Sequence, residues 1–138
     1  GLLSLHIPSG EIRQFLPMPN DPKSLPSERV YAALAASDKY LWVATANGLA
    51  YLDKKTGLSR VFNTNDGLPD NRIYSMAFDL EGELWLGTGR GLSRMDTSTK
   101  AFTNYTQSDG LINSEFNRNS AMVLDDGMML MGGVSGLD

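Results

Sequence analysis

Arg29 and Arg72 are the polar residues whose placement most invites a chemical reading. Each is followed two positions later by a tyrosine, Tyr31 or Tyr74. Polar company recurs around them: Ser27, Glu28 and Asn47 for the first, and Asp70, Asn71, Arg90, Asn113 and Glu115 for the second. Guanidinium, amide and carboxylate groups gathered on one surface suit hydrogen bonding to a polyol or a peptide. Covalent chemistry finds little support elsewhere. There is no cysteine, which removes thiolate nucleophiles, disulfides and cysteine-held zinc or iron–sulfur sites. The one histidine, His6, stands in no serine–carboxylate pattern and reads as a surface turn residue.

Other candidate chemistries reduce to structure. Asp79-Leu80-Glu81-Gly82-Glu83 and Asp125-Asp126-Gly127 lack the spacing and distal glutamate of a calcium loop, and Asp-Gly pairs are hairpin signals. Asp53 and Asp96 read as turn residues that bond nearby backbone N–H groups. Gly87-Thr88-Gly89-Arg90-Gly91 has neither the Gly-Lys-Ser/Thr ending nor the strand–helix setting of a phosphate loop. Trp42 and Trp85 lie inside apolar runs, so packing is favoured over stacking on a sugar. Four of the seven methionines fall in Met122–Met131, where they read as gap-filling core. The sequence therefore implies no metal, no cofactor and no catalytic residue.

Composition narrows the partners. The 138 residues carry 12 Lys plus Arg against 16 Asp plus Glu, a formal charge of −4, which disfavours a dedicated nucleic-acid binder. No apolar run approaches the roughly 18–20 residues that span a bilayer, so any membrane link would come through a parent protein. The length suits one domain.

The elements that position these residues are repeated. Offsetting the chain by 43 gives 13 identities across residues 25–67, among them Leu25-Pro26 with Leu68-Pro69, Leu41-Trp42 with Leu84-Trp85, and Asp66-Gly67 with Asp109-Gly110. A Gly-Leu pair returns at Gly1-Leu2, Gly48-Leu49, Gly91-Leu92 and Gly136-Leu137, spaced by 47, 43 and 45. A period of 40–50 residues with glycine and aromatic punctuation marks a solenoid or propeller. Within residues 72–106 lie four strand-length runs, A to D, separated by turn residues, with no helical stripe. Runs A and B are apolar throughout and C and D alternate, as expected where inner strands are covered on both faces and outer strands meet solvent.

The expected fold is all-β: a β-propeller fragment of about three blades, each of four antiparallel strands. Residues 1–16 supply strands C and D of a partial blade, 29–62 and 72–106 are full blades, and 118–138 supply A and B of a partial, terminal blade. The twelve strands begin and end mid-blade, so the ring does not close within one chain. The chain reads as a fragment of a larger protein, or as a unit whose apolar flanks self-associate with adjacent blades or subunits.

The motifs Leu41-Trp42-Val43-Ala44-Thr45 with Asn47-Gly48-Leu49, Asp79-x-x-Gly82-x-Leu84-Trp85-Leu86-Gly87-Thr88 with Gly91-Leu92, and the links Asn65-Asp66-Gly67-Leu68-Pro69 and Ser108-Asp109-Gly110-Leu111 resemble the two-component regulator propeller repeat. The last unit departs from it, with Leu130 in place of Trp and Gly132-Gly133 in place of Gly-Thr. The first full unit departs too, with Ser37-Asp38-Lys39-Tyr40 in place of Asp-x-x-Gly. The resemblance implies a periplasmic, ligand-sensing segment of a bacterial two-component sensor, upstream of a histidine kinase or a diguanylate cyclase. It also implies an oligosaccharide or other small polar ligand and no chemistry in this segment. A lyase or hydrolase of the streptogramin-lyase type and a protein-binding scaffold are the alternatives. In such a propeller the D-to-A and B-to-C connections share one face, which would gather Arg29, Arg72, Asn47, Arg90, Asn71 and Glu115 as ligand-binding candidates. Equal placement of the two arginines also fits a role in tying down the repeat's own loop.

Overall fold

The computed structural model describes residues 1–137 and is built of antiparallel sheets. The first pairs β1 (Leu2–His6) with β2 (Glu11–Phe15). The second runs β3 (Val30–Ala35), β4 (Tyr40–Thr45), β5 (Gly48–Asp53), β6 (Ser59–Phe62). The third repeats it with β7 (Ile73–Phe78), β8 (Leu84–Thr88), β9 (Gly91–Met95), β10 (Phe102–Tyr105). The fourth holds β11 (Phe116–Val123), β12 (Met129–Gly133) and β13 (Gly136–Leu137). Every neighbour in a sheet is the next strand in sequence. The innermost strands pack side by side, with β7 against both β3 and β11 and β3 touching β11 across the axis. The expectation of an open, all-β propeller fragment is borne out.

The fourth sheet differs from its expected bounds. It starts at Phe116 rather than 118, because Phe116 pairs with Gly133 as Ile73 pairs with Thr88. It also has a short third strand, β13, whose following residue Asp138 lies outside the described residues.

Each sheet buries its faces against the next, and three apolar cores result. Phe15, Leu25, Val43, Ala50 and Leu52 join the first and second sheets. Trp42, Leu49, Phe62, Ile73, Leu84 and Met95 are among those joining the second and third. Leu92, Phe116 and Met131 join the third and fourth. The links between sheets contribute one plug to each: Leu25 and Leu68 are buried, and Leu111 packs against the last core. The last two plugs are delivered by 3-10 turns, Thr64–Asp66 and Gln107–Asp109. Asp66 and Asp109 reach back to the backbone N–H of Asn63 (2.9 Å) and Thr106 (2.8 Å). The repeated Asp-Gly-Leu motif is thus a device for seating a leucine, and burying such a side chain stabilises by about 1.5–3 kcal/mol.

The tryptophans pack as the sequence suggests. Trp42 is 2% exposed and lies against Tyr51 and Phe62. Trp85 stacks on Tyr105 and donates its indole N–H to Asp79 at 2.8 Å. Asp79 also accepts from the N–H groups of Glu81 and Glu83, closing the A–B turn. In the divergent first unit, Ser37 does comparable work, accepting from Lys39 and Tyr40 through its hydroxyl.

The C–D turns are closed by carboxylates too. Asp53 accepts from Lys55 and Thr56, and Asp96 accepts from Ser98 and Thr99. At His6 the ring Nδ1 bonds the Ser9 hydroxyl instead (2.7 Å). Hydrogen bonds from the Ser98 side chain and from the backbone of Thr99 and Ser98 hold the Asp96 carboxyl down to about 2.

The B–C turn carries the tightest constraint. Buried Thr45 and Thr88 each donate a hydroxyl to the carbonyl three residues on (Gly48 and Gly91, both 2.7 Å) and accept the turn's N–H (Asn47 at 3.1 Å, Arg90 at 3.0 Å). Gly48 and Gly91 then take φ of 114° and 94°, and a Cβ there would meet the carbonyl oxygen of Phe62 or Tyr105. Only glycine serves at such a site.

The fourth sheet solves the same problem differently. Gly133 stands where threonine stood, and fully buried Asn113 fills the space from the preceding link. Its Oδ1 accepts from Ser135 N–H at 2.7 Å and its Nδ2 donates to Gly136 O at 3.2 Å. These two groups are the counterparts of those served by the threonine hydroxyls. A Cβ on Gly133 would lie 2.2 Å from Asn113 Cγ. The Gly-Gly departure is therefore one half of an exchange.

Two outcomes follow from these turns. Asn113→Ala lowers unfolding free energy by about 1–3 kcal/mol, because it empties a fully buried socket and removes the two hydrogen bonds that close the turn. Gly133→Thr alone is also destabilising, yet the double variant recovers stability relative to either single change in a denaturation double-mutant cycle. For Asp96, a folded-state pKa below the ordinary 3.8 means that its contribution is present above that value and is lost as pH falls toward 2. Thermal melts of Asp96→Asn should show a deficit near neutral pH that closes by about pH 2.

Candidate ligand-binding face

Backbone bonds fix which loops share a face. Within a sheet, the B–C turn donates to the start of strand A: Ala46 N–H to Arg29 O (3.0 Å), Gly89 to Arg72 (3.1 Å), Val134 to Glu115 (3.2 Å). Between sheets, Gly48 N–H donates to Asn71 O (2.6 Å) and Gly91 N–H to Ser114 O (2.7 Å). The D-to-A links and the B–C turns therefore form one continuous surface, around the near ends of β3, β7 and β11.

On that surface the six candidates divide. Arg72 forms a two-pronged pair with Asp70, Nε to Oδ1 at 3.1 Å and Nη2 to Oδ2 at 2.7 Å. It lies over Gly89, where a Cβ would meet the guanidinium at 2.8 Å. The pairing holds the Asp70 carboxyl below its usual range, chiefly through the hydrogen bond from Arg72, with Arg90 adding a smaller pull, and it raises the arginine in return. Asn71 caps the 3-10 turn, its Oδ1 accepting from Thr64 N–H at 2.9 Å. Glu115 is near enough to act electrostatically on Arg72. Arg72, Arg90, Asn71 and Glu115 thus gather around the start of β7, and Arg72 and Asn71 both tie down the repeat's own loops. Asn47 stands apart, donating to Pro26 O at 3.3 Å over a groove that Pro17 and Met18 also line.

Arg29 belongs to a second group. With Glu28, Val30, Tyr31 and Arg118 it lines an open cleft at the axis. Tyr31 and Tyr74 occupy one-residue bulges: β3 uses two steps from Val30 to Ala32 against one on β4, and β7 does the same from Ile73 to Ser75. The extra residue in each is the tyrosine, and a bulge re-aims its side chain. The two rings meet at 5.2 Å between centroids, tilted by 44°. In β11 the bulge is larger, five steps from Phe116 to Ala121 against two on β12, and it brings the Arg118 guanidinium to 4.6 Å from the Tyr31 ring centre.

Tyr31, Tyr74 and Arg118 also reach this face, and sequence reasoning counted none of them among the ligand-binding candidates. The spacing Arg-x-Tyr in two units was the available signal for the tyrosines. Nothing in the sequence flags Arg118, because its position follows from a strand register. Among the described residues no group of three or more His, Cys, Asp or Glu is placed to hold a metal ion, and no helix is long and apolar enough to cross a membrane.

With this geometry in view, the comparisons with known proteins are direct. The sequence model of the family described as two component regulator propeller matches residues 24–47 and 67–90. No curated protein matches the chain. Among solved structures, the extracellular domain of BT3049 from B. thetaiotaomicron, described as a hybrid two component system, is 27% identical, with a TM-score of 0.72 over 78% of this chain and 15% of that one. The extracellular domain of BT4673 from the same organism is 20% identical, with a TM-score of 0.70 over 99% of this chain and 18% of that one, a likeness of fold. The chain spans less than a fifth of the length of either neighbour. The two matched segments each run from a plug leucine through strands A and B to the B–C turn, the elements that build the face described above, and in them the chain is similar to the two component regulator propeller repeat.

Proposed function

We propose that this chain is a ligand-sensing segment of the periplasmic propeller of a bacterial two-component receptor, upstream of a histidine kinase, and that it performs no chemistry itself. The family match and the extracellular neighbours support the receptor setting. The observation that carries the ligand reading is the face at the starts of the inner strands. Three guanidiniums there, on Arg29, Arg90 and Arg118, take no part in the two ion pairs found among the described residues, Lys39–Asp53 and Asp70–Arg72. Cations outside those two pairs, on a chain of net charge −4, suit a polar partner.

The lyase alternative needs a histidine on that face. His6 instead sits in a C–D turn at the far end of its strand, bonded to Ser9. The outer sheets expose Leu3, Leu5 and Ile12 at one end and Met122, Val134 and Leu137 at the other. Adjacent blades or neighbouring subunits of the same kind cover these flanks in the receptor, as the sheets inside the chain cover one another.

A carbohydrate array probed with the full protein, followed by thermal-shift titration of each hit, tests this reading. The expected result is a ligand that raises Tm, switches receptor output in cells, and is recovered chemically unchanged by chromatography. Cleavage or elimination of the ligand would replace the sensor with an enzyme.

A further inference from the structure

Two departures from the repeat, one in the second sheet and one in the third, meet at a single cavity. The first is Ala36. It takes the place of Asp79, since each gives its N–H to the carbonyl four residues on, at 3.0 Å in both turns. In the third sheet the Asp79 carboxylate accepts the Trp85 indole N–H. In the second sheet that carboxylate is missing, and the Trp42 N–H has no acceptor among the described residues. Nor is it sealed away: Ser75 Oγ is the one side-chain polar atom among the described residues that is both buried and unbonded. The second departure is Lys100. Its N–H closes the C–D turn on Asp96 O, as Gly57 does on Asp53 and Gly10 on His6. The two glycines have φ of 74° and 71°, and Lys100 is held at 62°, a region that glycine adopts freely and long side chains rarely.

Ala36, Trp42 and Lys100 line one cavity of about 470 Å3 between the second and third sheets. We propose that it binds a small carboxylic acid with an apolar, aromatic body. The ligand's carboxylate takes the place that Asp79 fills in the sibling repeat, accepting the Trp42 N–H and pairing with the Lys100 ammonium. That ammonium lies over the Trp42 and Tyr51 rings, 5.6 and 5.4 Å from their centres, and donates to Thr97 O. An ammonium has three N–H donors, so two remain for a ligand. Lys100 takes part in neither ion pair among the described residues. Ala35, Ala36, Phe78 and Tyr51 give the cavity apolar walls, and the Thr97 hydroxyl is already spent on Gly82 O at 3.1 Å. A sugar acid would leave its hydroxyl groups unmatched against these walls. The cavity opens among the A–B and C–D turns, at the opposite strand ends from the sensing face, and stands independently of it. An occupant touches both sheets and ties them together at the ends far from the Gly48–Asn71 bond.

The test is calorimetric titration of the full protein with phenylacetate, with phenylacetamide and acetate as controls. The expected result is binding of phenylacetate, with the amide weaker by about tenfold or more because it loses a charge-assisted hydrogen bond. Acetate, which lacks the apolar body, is weaker still. Ala36→Asp installs the sibling repeat's carboxylate beside Trp42 and should abolish binding while the melting temperature holds or rises. Lys100→Met keeps the stem without the charge and should remove the preference for acid over amide. A lysine that only packs on the two rings would shift the melting temperature of Lys100→Met and leave that preference intact, which overturns the assignment. So does equal affinity for acid and amide, phenylacetate binding untouched by Ala36→Asp, or no phenylacetate binding at millimolar concentration. Should Ala36→Asp fail to fold, Lys100→Met still decides. None of these outcomes bears on the sensing face at the other end of the sheets.

Discussion

The hydrogen bond that one sheet's B–C turn gives to the next sheet's link is the constraint on which the rest of the structure depends. Gly48 N–H reaches Asn71 O, and Gly91 N–H reaches Ser114 O. For that N–H to point outward, the glycine must adopt a positive φ with no Cβ. For the turn behind it to stay closed, a buried polar side chain must serve its N–H and carbonyl groups. The threonine, the glycine and the link after strand D are thus three parts of one joint. Apolar packing supplies most of the stabilisation between sheets, but packing is not directional. The joint fixes how far one sheet is turned about the axis relative to the next.

From that angle the functional face follows. The joints lie where the inner strands begin, so residues flanking them converge there whether or not they take part in binding. Arg72 and Asn71 show the structural side of this: both are held by bonds to their own link. Arg29 and Arg118 show the other side, because nothing in the joint engages their guanidiniums. The division falls within a set of residues that look alike in sequence, and it is made by partners such as Asp70 and Thr64 rather than by residue type.

Much of the architecture was legible from the repeat. A 43-residue self-match located the strands of the second and third sheets, and the Gly-Leu and Asp-Gly-Leu punctuation located their turns. Strand bulges were not legible, because a bulge is defined by the partner strand. Tyr31, Tyr74 and the stretch from Asn117 to Ser120 read as ordinary strand or loop until they are paired. Asn113 escaped for a related reason. Its work is done twenty residues away, at Gly133, and a one-dimensional reading credits the loss of threonine there to divergence. The third strand of the last sheet was hidden by its brevity.

The exchange of Thr for Asn113 and Gly133 also bears on how such arrays are assembled in evolution or by design. Repeats of one family look interchangeable, and recombination between them should shuffle blades freely. Here the crossover point matters. A cut upstream of Asn113 transfers the amide together with the glycine that makes room for it, and the module travels intact. A cut between Asn113 and Gly133 would set the amide against a threonine, or leave a glycine facing an empty socket. The fourth repeat is therefore a cassette with a fixed seam.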